Sequence, residues 1–200
     1  MFTGIIQNLG KVAEKSKDKL KIMTDKRFIS KLKKGTSIAV DGICLTAVNI
    51  SSNTFEIDYT PETEGKTNIK YMETGDLVNL EVPTTPNTFL SGHIINGHID
   101  GLGKVFSIRE KGNSRIFKIF VPKYMDKYIV KKGSIAVNGV SLTIINVDDN
   151  SFEVSIIPYT WKNTMFTKLK KGDYVNIETD VLAKYVEKFV LNEVDYANKK

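Results

Sequence analysis

Short runs of apolar residues recur along most of the chain, either alternating with polar residues or continuous over strand lengths. They are rich in β-branched and aromatic residues, which favour β-strands. Turn signals separate them: Asp41-Gly42 punctuates one pair of runs, and Pro61 stops a strand where a short helical turn can begin. The pattern therefore predicts an all-β chain. Examples of the runs are SIAV at 37–40, ICLTAVNI at 43–50 and TFEIDY at 54–59.

The same pattern occurs twice. Residues 35–50, GTSIAVDGICLTAVNI, resemble residues 133–147, GSIAVNGVSLTIINV, and the match continues at a shift of 97 as far as Glu81. From Ile38 to Glu81, 18 of 44 positions are identical, far more than chance gives. The start of the chain also repeats, because TGIIQNLGKV at 3–12 resembles NGHIDGLGKV at 96–105. The chain is therefore a duplicated domain.

Each copy holds about six short strands in fewer than 90 residues, which suggests a closed barrel because closure removes exposed strand edges. We predict two tandem six-stranded antiparallel Greek-key β-barrels followed by a C-terminal α-helix. The predicted boundaries are 1–87 for the N-terminal barrel, 88–180 for the C-terminal barrel, and 181–200 for the helix and tail. The Pro- and Thr-rich stretch VPTTPNTFL at 82–90 is the predicted linker.

The tail VLAKYVEKFVLNEVDY at 181–196 has apolar residues at three-four spacing, which predicts an amphipathic helix about 25 Å long. A lone helix of this length is marginal in water. It therefore either lies back on a barrel or packs against copies of itself in an oligomer, and the spacing does not decide between the two. The apolar positions are Leu182, Tyr185, Val186, Phe189, Val190 and Val194.

The net charge of +6 raises the question of nucleic-acid binding, but the charge is nearly all lysine, and the basic runs are not interleaved with aromatic residues. We therefore expect no nucleic-acid partner. No run of about 18 apolar residues exists, and the start lacks the basic and apolar regions of a signal peptide, so we expect no membrane partner. Cys44 is the only cysteine and cannot form an internal disulfide, which fits a cytoplasmic setting.

Both histidines, His93 and His98, lie in SGHIINGHIDG at 91–101. Five residues apart, their side chains would point about 140° apart on a helix and to opposite faces of a strand. No further ligand stands at a recognisable spacing, so we expect no metal site. At the repeat's shift of 93, His98 occupies the position that Ile5 has in the first copy.

Small polar pairs are the strongest candidates for chemistry. Cys44 and Thr46 are two apart on a strand and share one face, and Ser141 and Thr143 do the same in the second copy. Such a face can simply be solvated. However, each pair follows a tight glycine turn, and the strand ends DYTPET and SIIPYT can bind a heterocycle by main-chain hydrogen bonds. Strong acids and bases are few, so an enzyme of this kind would work largely by orientation.

The segments MFTGI, GICLT, GHIINGHIDG, SIAVNGVSLT and IPYT together closely resemble the trimeric riboflavin synthases, which are built from two lumazine-binding barrels. The resemblance covers essentially all 200 residues. It implies a transferase that joins two molecules of 6,7-dimethyl-8-ribityllumazine by transfer of a four-carbon unit, giving riboflavin and 5-amino-6-(D-ribitylamino)uracil without any cofactor. It also implies a homotrimer held by the C-terminal helices, with the productive site between barrels of neighbouring subunits.

The resemblance implies one lumazine site in each barrel. Of the implied catalytic residues, His98 would transfer a proton, Cys44 would act at C7 of the substrate, and Ser141 and Thr143 would orient water and substrate. The implied contacts in the first barrel are Gly4, Ile5, Ile6, Cys44, Leu45, Thr46, Asp58, Tyr59, Thr60, Pro61, Glu62 and Thr63. Those in the second barrel are Gly97, His98, Ile99, Lys132, Ser141, Leu142, Thr143, Ser155, Ile156, Ile157, Pro158, Tyr159 and Thr160.

Further expectations concern four residues outside those sets. Phe2, at the tip of the first strand, is expected to close over a neighbour's site, and His93 is expected to have a packing or capping role. The family usually shows Asn in the first turn and Asp in the second, whereas Asp41 and Asn138 are exchanged here. The exchange puts in doubt a proton-transfer role for an aspartate at the second turn.

The main alternative is a non-catalytic relative that carries a lumazine or a flavin. Such a relative would keep one pocket and lose the other, whereas both copies here keep the polar pair, the strand edge and the proline. The resemblance also names lumazine synthase as a candidate partner.

Overall fold

Each sequence copy forms a closed antiparallel barrel of six strands in a computed structural model that describes residues 1–197 and the side chains as far as Leu191. The first barrel consists of β1 (Asn8–Lys15), β2 (Lys19–Met23), β3 (Ser37–Val40), β4 (Ile43–Ile50), β5 (Thr54–Asp58) and β6 (Leu77–Glu81). Its strand order is β1-β2-β5-β4-β3-β6, so β2 lies beside the last of three hairpin-linked strands in a Greek key. Helices α1 (Lys26–Ile29) and α2 (Pro61–Lys66) and a 3₁₀ turn (Asn68–Tyr71) connect the strands.

The second barrel repeats this topology. Its strands are β7 (Gly101–Lys111), β8 (Ser114–Phe120), β9 (Ser134–Val137), β10 (Val140–Asp148), β11 (Ser151–Ile156) and β12 (Tyr174–Thr179). Around the closed barrel they lie in the order β7-β8-β11-β10-β9-β12, which matches the order of their counterparts in the first barrel. Helices α3 (Lys123–Asp126) and α4 (Pro158–Asn163) and a 3₁₀ turn (Met165–Lys168) stand where the first barrel has its connections. The predicted all-β fold of two six-stranded barrels is confirmed.

Alternating burial along the strands builds a separate core in each barrel. In β4, Ile43, Leu45 and Ala47 are buried, whereas Thr46 is exposed, as the predicted strand faces require. Pro61 and Pro158 each occupy the first position of a short helix, where the missing N–H costs nothing. Local sequence rules therefore account for the strands, for their inward faces and for where they end.

The turns Asp41-Gly42 and Asn138-Gly139 touch each other where the two barrels meet. All four residues have positive φ, between 44° and 79°, as in the tight hairpin turns that favour Asn, Asp and Gly. A Cβ built on either glycine would lie 2.6 Å from the backbone nitrogen of the other, so only glycine fits at both positions. The barrels are thus joined by reciprocal contacts between equivalent residues.

Asp41 and Asn138 direct their side chains into this interface, where both are buried. The Asp41 carboxylate accepts hydrogen bonds from the Asn79 backbone and the Asn68 side chain, each at 2.8 Å. Asn138 accepts from the backbone nitrogen of Asn176 at 2.7 Å. Each of these contacts stays within one barrel, but two of the same residues also bond across the interface. The Asn79 side chain donates to the Asn138 oxygen and the Asn176 side chain to the Asp41 oxygen, both at 2.9 Å, so the exchange of acid and amide at the two turns bears on how the barrels pack.

Asp41 is expected to make the stability of the protein depend on pH. Burial raises the pKa of Asp41 to about 7, from an ordinary value of 3.8. Between those values the native state holds a proton that the unfolded state has lost, so stability falls as the pH rises from about 4 to about 7. We expect Asp41→Asn to flatten the decline in melting temperature between about pH 4 and pH 7, and the mirror-image Asn138→Asp to steepen it. Thermal unfolding by circular dichroism measures both slopes, and equal slopes in wild type and Asp41→Asn would contradict the expectation.

The C-terminal helix α5 runs from Val181 to Ala197, close to its predicted extent. Its barrel-facing side is polar, since Lys184 pairs with Asp100, and Glu187 pairs with Lys127. The predicted apolar face does not lie on a barrel, which contradicts one of the two alternatives for this helix. The side chain of Val194 and residues 198–200 lie outside the described part. The exposed apolar residues described on this helix, each at least 54% exposed, are Leu182, Tyr185, Val186, Phe189, Val190 and Leu191.

Candidate functional site

The short segment that leads into the first strand of each barrel lies against the other barrel. The backbone oxygen of Gly4, ahead of β1, accepts a hydrogen bond from the nitrogen of Ser141 in the second barrel at 2.9 Å. The oxygen of Gly97, ahead of β7, accepts one from the nitrogen of Cys44 in the first barrel, also at 2.9 Å. The prediction that each leading segment serves its own copy is corrected: Gly4–Ile6 approach the second barrel and Gly97–Ile99 the first.

The reciprocal turn contact explains the exchange. Because the two glycine turns meet at the interface, β4 and β10, which follow them, begin beside the leading segment of the opposite copy. Ile6 accordingly packs against the core of the second barrel, and Ile99 against the core of the first. Each barrel thus has a surface that the other copy completes.

Two buried glutamates hold the exchanged segments in place. Glu81, at the end of β6, accepts hydrogen bonds from the Thr3 nitrogen at 2.7 Å and the Gly4 nitrogen at 3.0 Å. Glu178, at the equivalent position of the second copy, accepts from the Gly97 nitrogen at 2.9 Å. Burial raises the pKa of Glu81, and that of Glu178 to about 7. The glutamates fix the backbone that lies against Cys44 and Ser141.

The sequence analysis did not find these glutamates, although a signal was present. VNLE at 78–81 and VNIE at 175–178 both end an apolar strand with the same acidic residue. An acid in the same place in both copies, on a strand whose neighbours are buried, indicates a buried polar role.

We call the two resulting surfaces the Cys44 surface and the Ser141 surface. From Ala47, three residues beyond Cys44, β4 pairs with β5, which ends at Asp58 and leads into α2. From Ile144, three residues beyond Ser141, β10 pairs with β11, which leads into α4 in the same way. The Cys44 surface comprises Cys44–Thr46, Asp58–Thr63 and Gly97–Ile99. The Ser141 surface comprises Gly4–Ile6, Ser141–Thr143 and Ser155–Thr160, with Lys132 at its edge.

The polar pairs face away from the barrel cores, as their spacing predicts, and Cys44 also packs against the small apolar cluster between the barrels. Thr46 and Thr143 are exposed, and Cys44 and Ser141 are half-buried beneath the exchanged segments. Each surface therefore presents a hydroxyl together with a second small polar group, a thiol in one case and a hydroxyl in the other. Apolar side chains flank the Ser141 surface, where Ile5, Ile157 and Tyr159 are exposed.

Several implied substrate residues turn their side chains inward. Leu45 and Ile156 belong to the barrel cores, and Tyr59 is buried with its hydroxyl donating to the Ser16 oxygen at 2.7 Å. These three can offer only backbone groups to a ligand. Lys132 is exposed and has a φ of 70°, whereas the first copy has Gly35 at the equivalent position.

The two histidines belong to different surfaces. His98 is exposed and directly follows Gly97, which bonds to Cys44, so it stands at the Cys44 surface. His93 is buried, and its Nδ1 lies 2.7 Å from the Oγ of Ser141. Among the described residues, no group of three or more His, Cys, Asp or Glu is arranged to hold a metal ion.

Phe2 does not close over a neighbour's site, so that prediction is wrong. Its side chain is fully buried between the barrels, in a cluster with Ala39, Ile95 and Ala136. Its backbone forms a two-way bridge with Ile95, which ties the chain start to the segment before the second barrel. Hydrophobic burial within the chain explains why this side chain is not free to reach a neighbour.

A cavity of about 520 Å³ lies between the barrels, away from both surfaces. Its lining includes Asp41, Met165 and the stacked rings of Tyr71 and Tyr174, but no implied catalytic residue. On the Cys44 and Ser141 surfaces, Thr46, His98, Thr143 and Tyr159 are exposed to solvent in the single chain. In the part of the chain that the structure describes, no helix is long and apolar enough to cross a membrane.

Both surfaces suit a flat heterocycle. Backbone and hydroxyl groups can bond to its polar edge, while apolar side chains contact its ring. The two carboxylates of the Cys44 surface, Asp58 and Glu62, are exposed, and each lies beside a lysine. What the arrangement offers is therefore orientation together with a few proton carriers.

Comparisons with known proteins agree with this geometry. The model of the lumazine binding domain matches residues 3–83 and again 96–180. The riboflavin synthase of Actinobacillus pleuropneumoniae is 40% identical over 196 residues, which cover 96% of this chain and 91% of the relative. The riboflavin synthase of Schizosaccharomyces pombe is 35% identical over 201 residues, which cover 95% and 94%.

Solved structures show the same architecture. A crystal structure of LumP complexed with 6,7-dimethyl-8-(1'-D-ribityl) lumazine is 30% identical and superposes with a TM-score of 0.81. The match covers 90% of this chain and 99% of that protein. Because the domain model matches both barrels and the relatives align along nearly their whole lengths, this chain belongs to the lumazine-binding-domain family of riboflavin synthases.

Proposed function

We propose that the protein is a transferase that converts two molecules of 6,7-dimethyl-8-ribityllumazine into riboflavin and 5-amino-6-(D-ribitylamino)uracil. The observation that carries this proposal is the presence of two equivalent surfaces, each completed by the leading segment of the other copy. Two like surfaces suit a reaction between two like molecules. The identity to riboflavin synthases and the lumazine complex of the similar LumP structure support the choice of substrate.

Orientation supplies most of the catalysis in this proposal. The C7 methyl group of the substrate is acidic because the conjugated ring spreads the charge of its carbanion, and C7 of the second molecule is electrophilic. Holding the two rings face to face in inverted orientation replaces a bimolecular encounter and can lower the barrier by roughly 7–11 kcal/mol. The reaction then needs no cofactor, since one substrate donates the four-carbon unit that the other accepts.

The two surfaces divide the remaining chemistry. His98, exposed beside Cys44, is the proton carrier for the C7 methyl group, a role that typically contributes about 10²–10⁴-fold. Cys44 acts at the electrophilic C7. Ser141 and Thr143 orient water and the second substrate on the other surface. The strand ends Asp58–Thr63 and Ser155–Thr160 bond to the polar edges of the rings.

Three copies of the chain complete the site. Each surface is open in a single chain, so a bound ring would keep one face in water unless a neighbour covered it. The exposed apolar side of α5 offers the contact that brings copies together. We therefore infer a homotrimer in which the Cys44 surface of one subunit faces the Ser141 surface of the next.

Mixing the purified protein with the lumazine alone tests the function. We expect the absorbance of riboflavin to grow without any added cofactor, with one riboflavin formed for every two lumazines consumed. A protein that binds the lumazine and leaves it unchanged would be a carrier instead. Boiled protein is the control for spontaneous conversion.

A further inference from the structure

His93, which the proposed reaction has not used, is buried against the half-buried Ser141. The Nδ1 of His93 lies 2.7 Å from the Oγ of Ser141, and His93 is only 9% exposed. Within the described residues, Cys44, the counterpart of Ser141, has no such side-chain partner. The Ser141 surface therefore has a feature that distinguishes it from the Cys44 surface.

The backbone around His93 is fixed over Ser141. The nitrogen of His93 donates to the oxygen of Thr3 at 3.3 Å, and the neighbouring Ile95 is bridged to Phe2. A Cβ at Gly92 would lie 2.0 Å from the Thr3 oxygen and 2.8 Å from the Cβ of Ser141, so the chain passes directly over the serine. The imidazole thus has little freedom to leave the hydroxyl.

The other ring nitrogen determines which atom carries the proton. The Nε2 of His93 is buried and has no hydrogen-bond partner among the residues whose side chains the structure describes. Burial also lowers the pKa of His93, against a weaker opposite effect of Asp180, so the ring is neutral at neutral pH and has one N–H. A buried N–H without an acceptor is rarer in proteins than an acceptor that lacks a donor. The proton is therefore better placed on Nδ1, where it has a partner.

We propose that His93 is the positioning residue of Ser141: its Nδ1–H donates to the serine Oγ, which leaves the serine hydroxyl free to donate to a carbonyl oxygen or ring nitrogen of a bound heterocycle. The Ser141 surface then selects the acceptor edge of its ligand. The identity of that ligand as a lumazine rests on the proposed function, whereas the state of the histidine does not.

The tautomer can be observed directly, because the chain has only two histidines. Long-range ¹H–¹⁵N spectra of the unliganded protein, assigned with His93→Asn, are expected to show His93 protonated on Nδ1, with exposed His98 as internal reference. Ser141→Ala is expected to shift the Nδ1 resonance of His93. A ring protonated on Nε2, or one that does not respond to Ser141→Ala, would overturn the proposal.

A double-mutant cycle on lumazine binding tests the consequence. We expect His93→Leu and Ser141→Ala each to weaken binding of 6,7-dimethyl-8-ribityllumazine about tenfold, and the double variant to lose no more than either single one, since both remove the same contact. His93→Asn, whose amide nitrogen can stand where Nδ1 stood, is expected to retain most of the affinity. Losses that multiply, or an equal loss in the Asn and Leu variants, would show that His93 only packs.

The experiments distinguish a failure of the proposed transferase function from a failure of the proposed role of His93. A wild-type protein that forms no riboflavin, yet shows the Nδ1 tautomer and the coupled losses of affinity, would refute the transferase and leave the inference intact for a carrier. Conversely, normal turnover with an Nε2-protonated His93 would refute the inference alone. Should His93→Leu fail to fold, the spectra of the wild type and Ser141→Ala still decide.

Discussion

The variant His98→Ala is expected to convert lumazine at least about 100-fold more slowly than the wild type and to melt at the same temperature. His98 is exposed and makes no side-chain hydrogen bond within the described chain, so its removal leaves the fold unstrained. A proton carrier lost from a site with few other titratable groups typically costs about 10²–10⁴ in rate. Steady-state kinetics should show the loss in kcat rather than in KM, because the ring-binding groups remain.

The duplication supplies a matched control. Ile5 stands at the position equivalent to His98 in the other leading segment and is also exposed, so Ile5→Ala removes a side chain of similar size from the Ser141 surface without removing a proton carrier. We expect Ile5→Ala to raise KM and to change kcat little. Cys44→Ser, which introduces the residue type that the second copy has at this position, is expected to slow turnover without unfolding. If neither His98→Ala nor Cys44→Ser alters the rate, the residue assignment of the Cys44 surface is wrong.

The barrels themselves could be predicted because their determinants are local. The alternation in β4, the glycine turn at Asp41-Gly42 and the proline that begins α2 each act over a few residues, and the repeat shows all of them twice. Register and burial then follow from which face is apolar. The polar faces of Cys44 and Ser141 were predicted for the same reason.

The exchange of leading segments could not be predicted in this way. Gly4 is 137 positions from Ser141, and nothing in TGII or NGHI records which barrel each segment will approach. Which barrel a leading segment approaches depends on the contact between two turns that belong to different copies. Because both copies have the same leading pattern, the sequence fits equally well whether each segment lies against its own barrel or against the other one. Phe2 was misplaced because its surroundings exist only after this exchange.

Replacing apolar residues on the exposed face of α5 by charged ones is expected to dissociate the protein into single chains and to reduce turnover by more than about 100-fold. Val186 and Phe189 lie on that face, and both are more than 60% exposed in the single chain. Burying an apolar side chain of this size stabilises an interface by roughly 1.5–3 kcal/mol, whereas a buried unpaired lysine destabilises it. The double variant Val186→Lys/Phe189→Lys should therefore sediment as a chain of 22.5 kDa, and the wild type at three times that mass.

The loss of turnover follows from geometry, since neither residue belongs to the Cys44 or the Ser141 surface. If a productive site needs one surface from each of two subunits, separated chains still bind lumazine on each barrel but cannot bring two rings together. Lys188→Glu, an exposed change of charge on the same helix, is the control and should stay assembled and active. Wild-type activity per chain should also fall on dilution as the trimer dissociates. A monomeric double variant with full turnover would mean that both rings are bound by one chain, because no second subunit would then be present to supply the opposing surface.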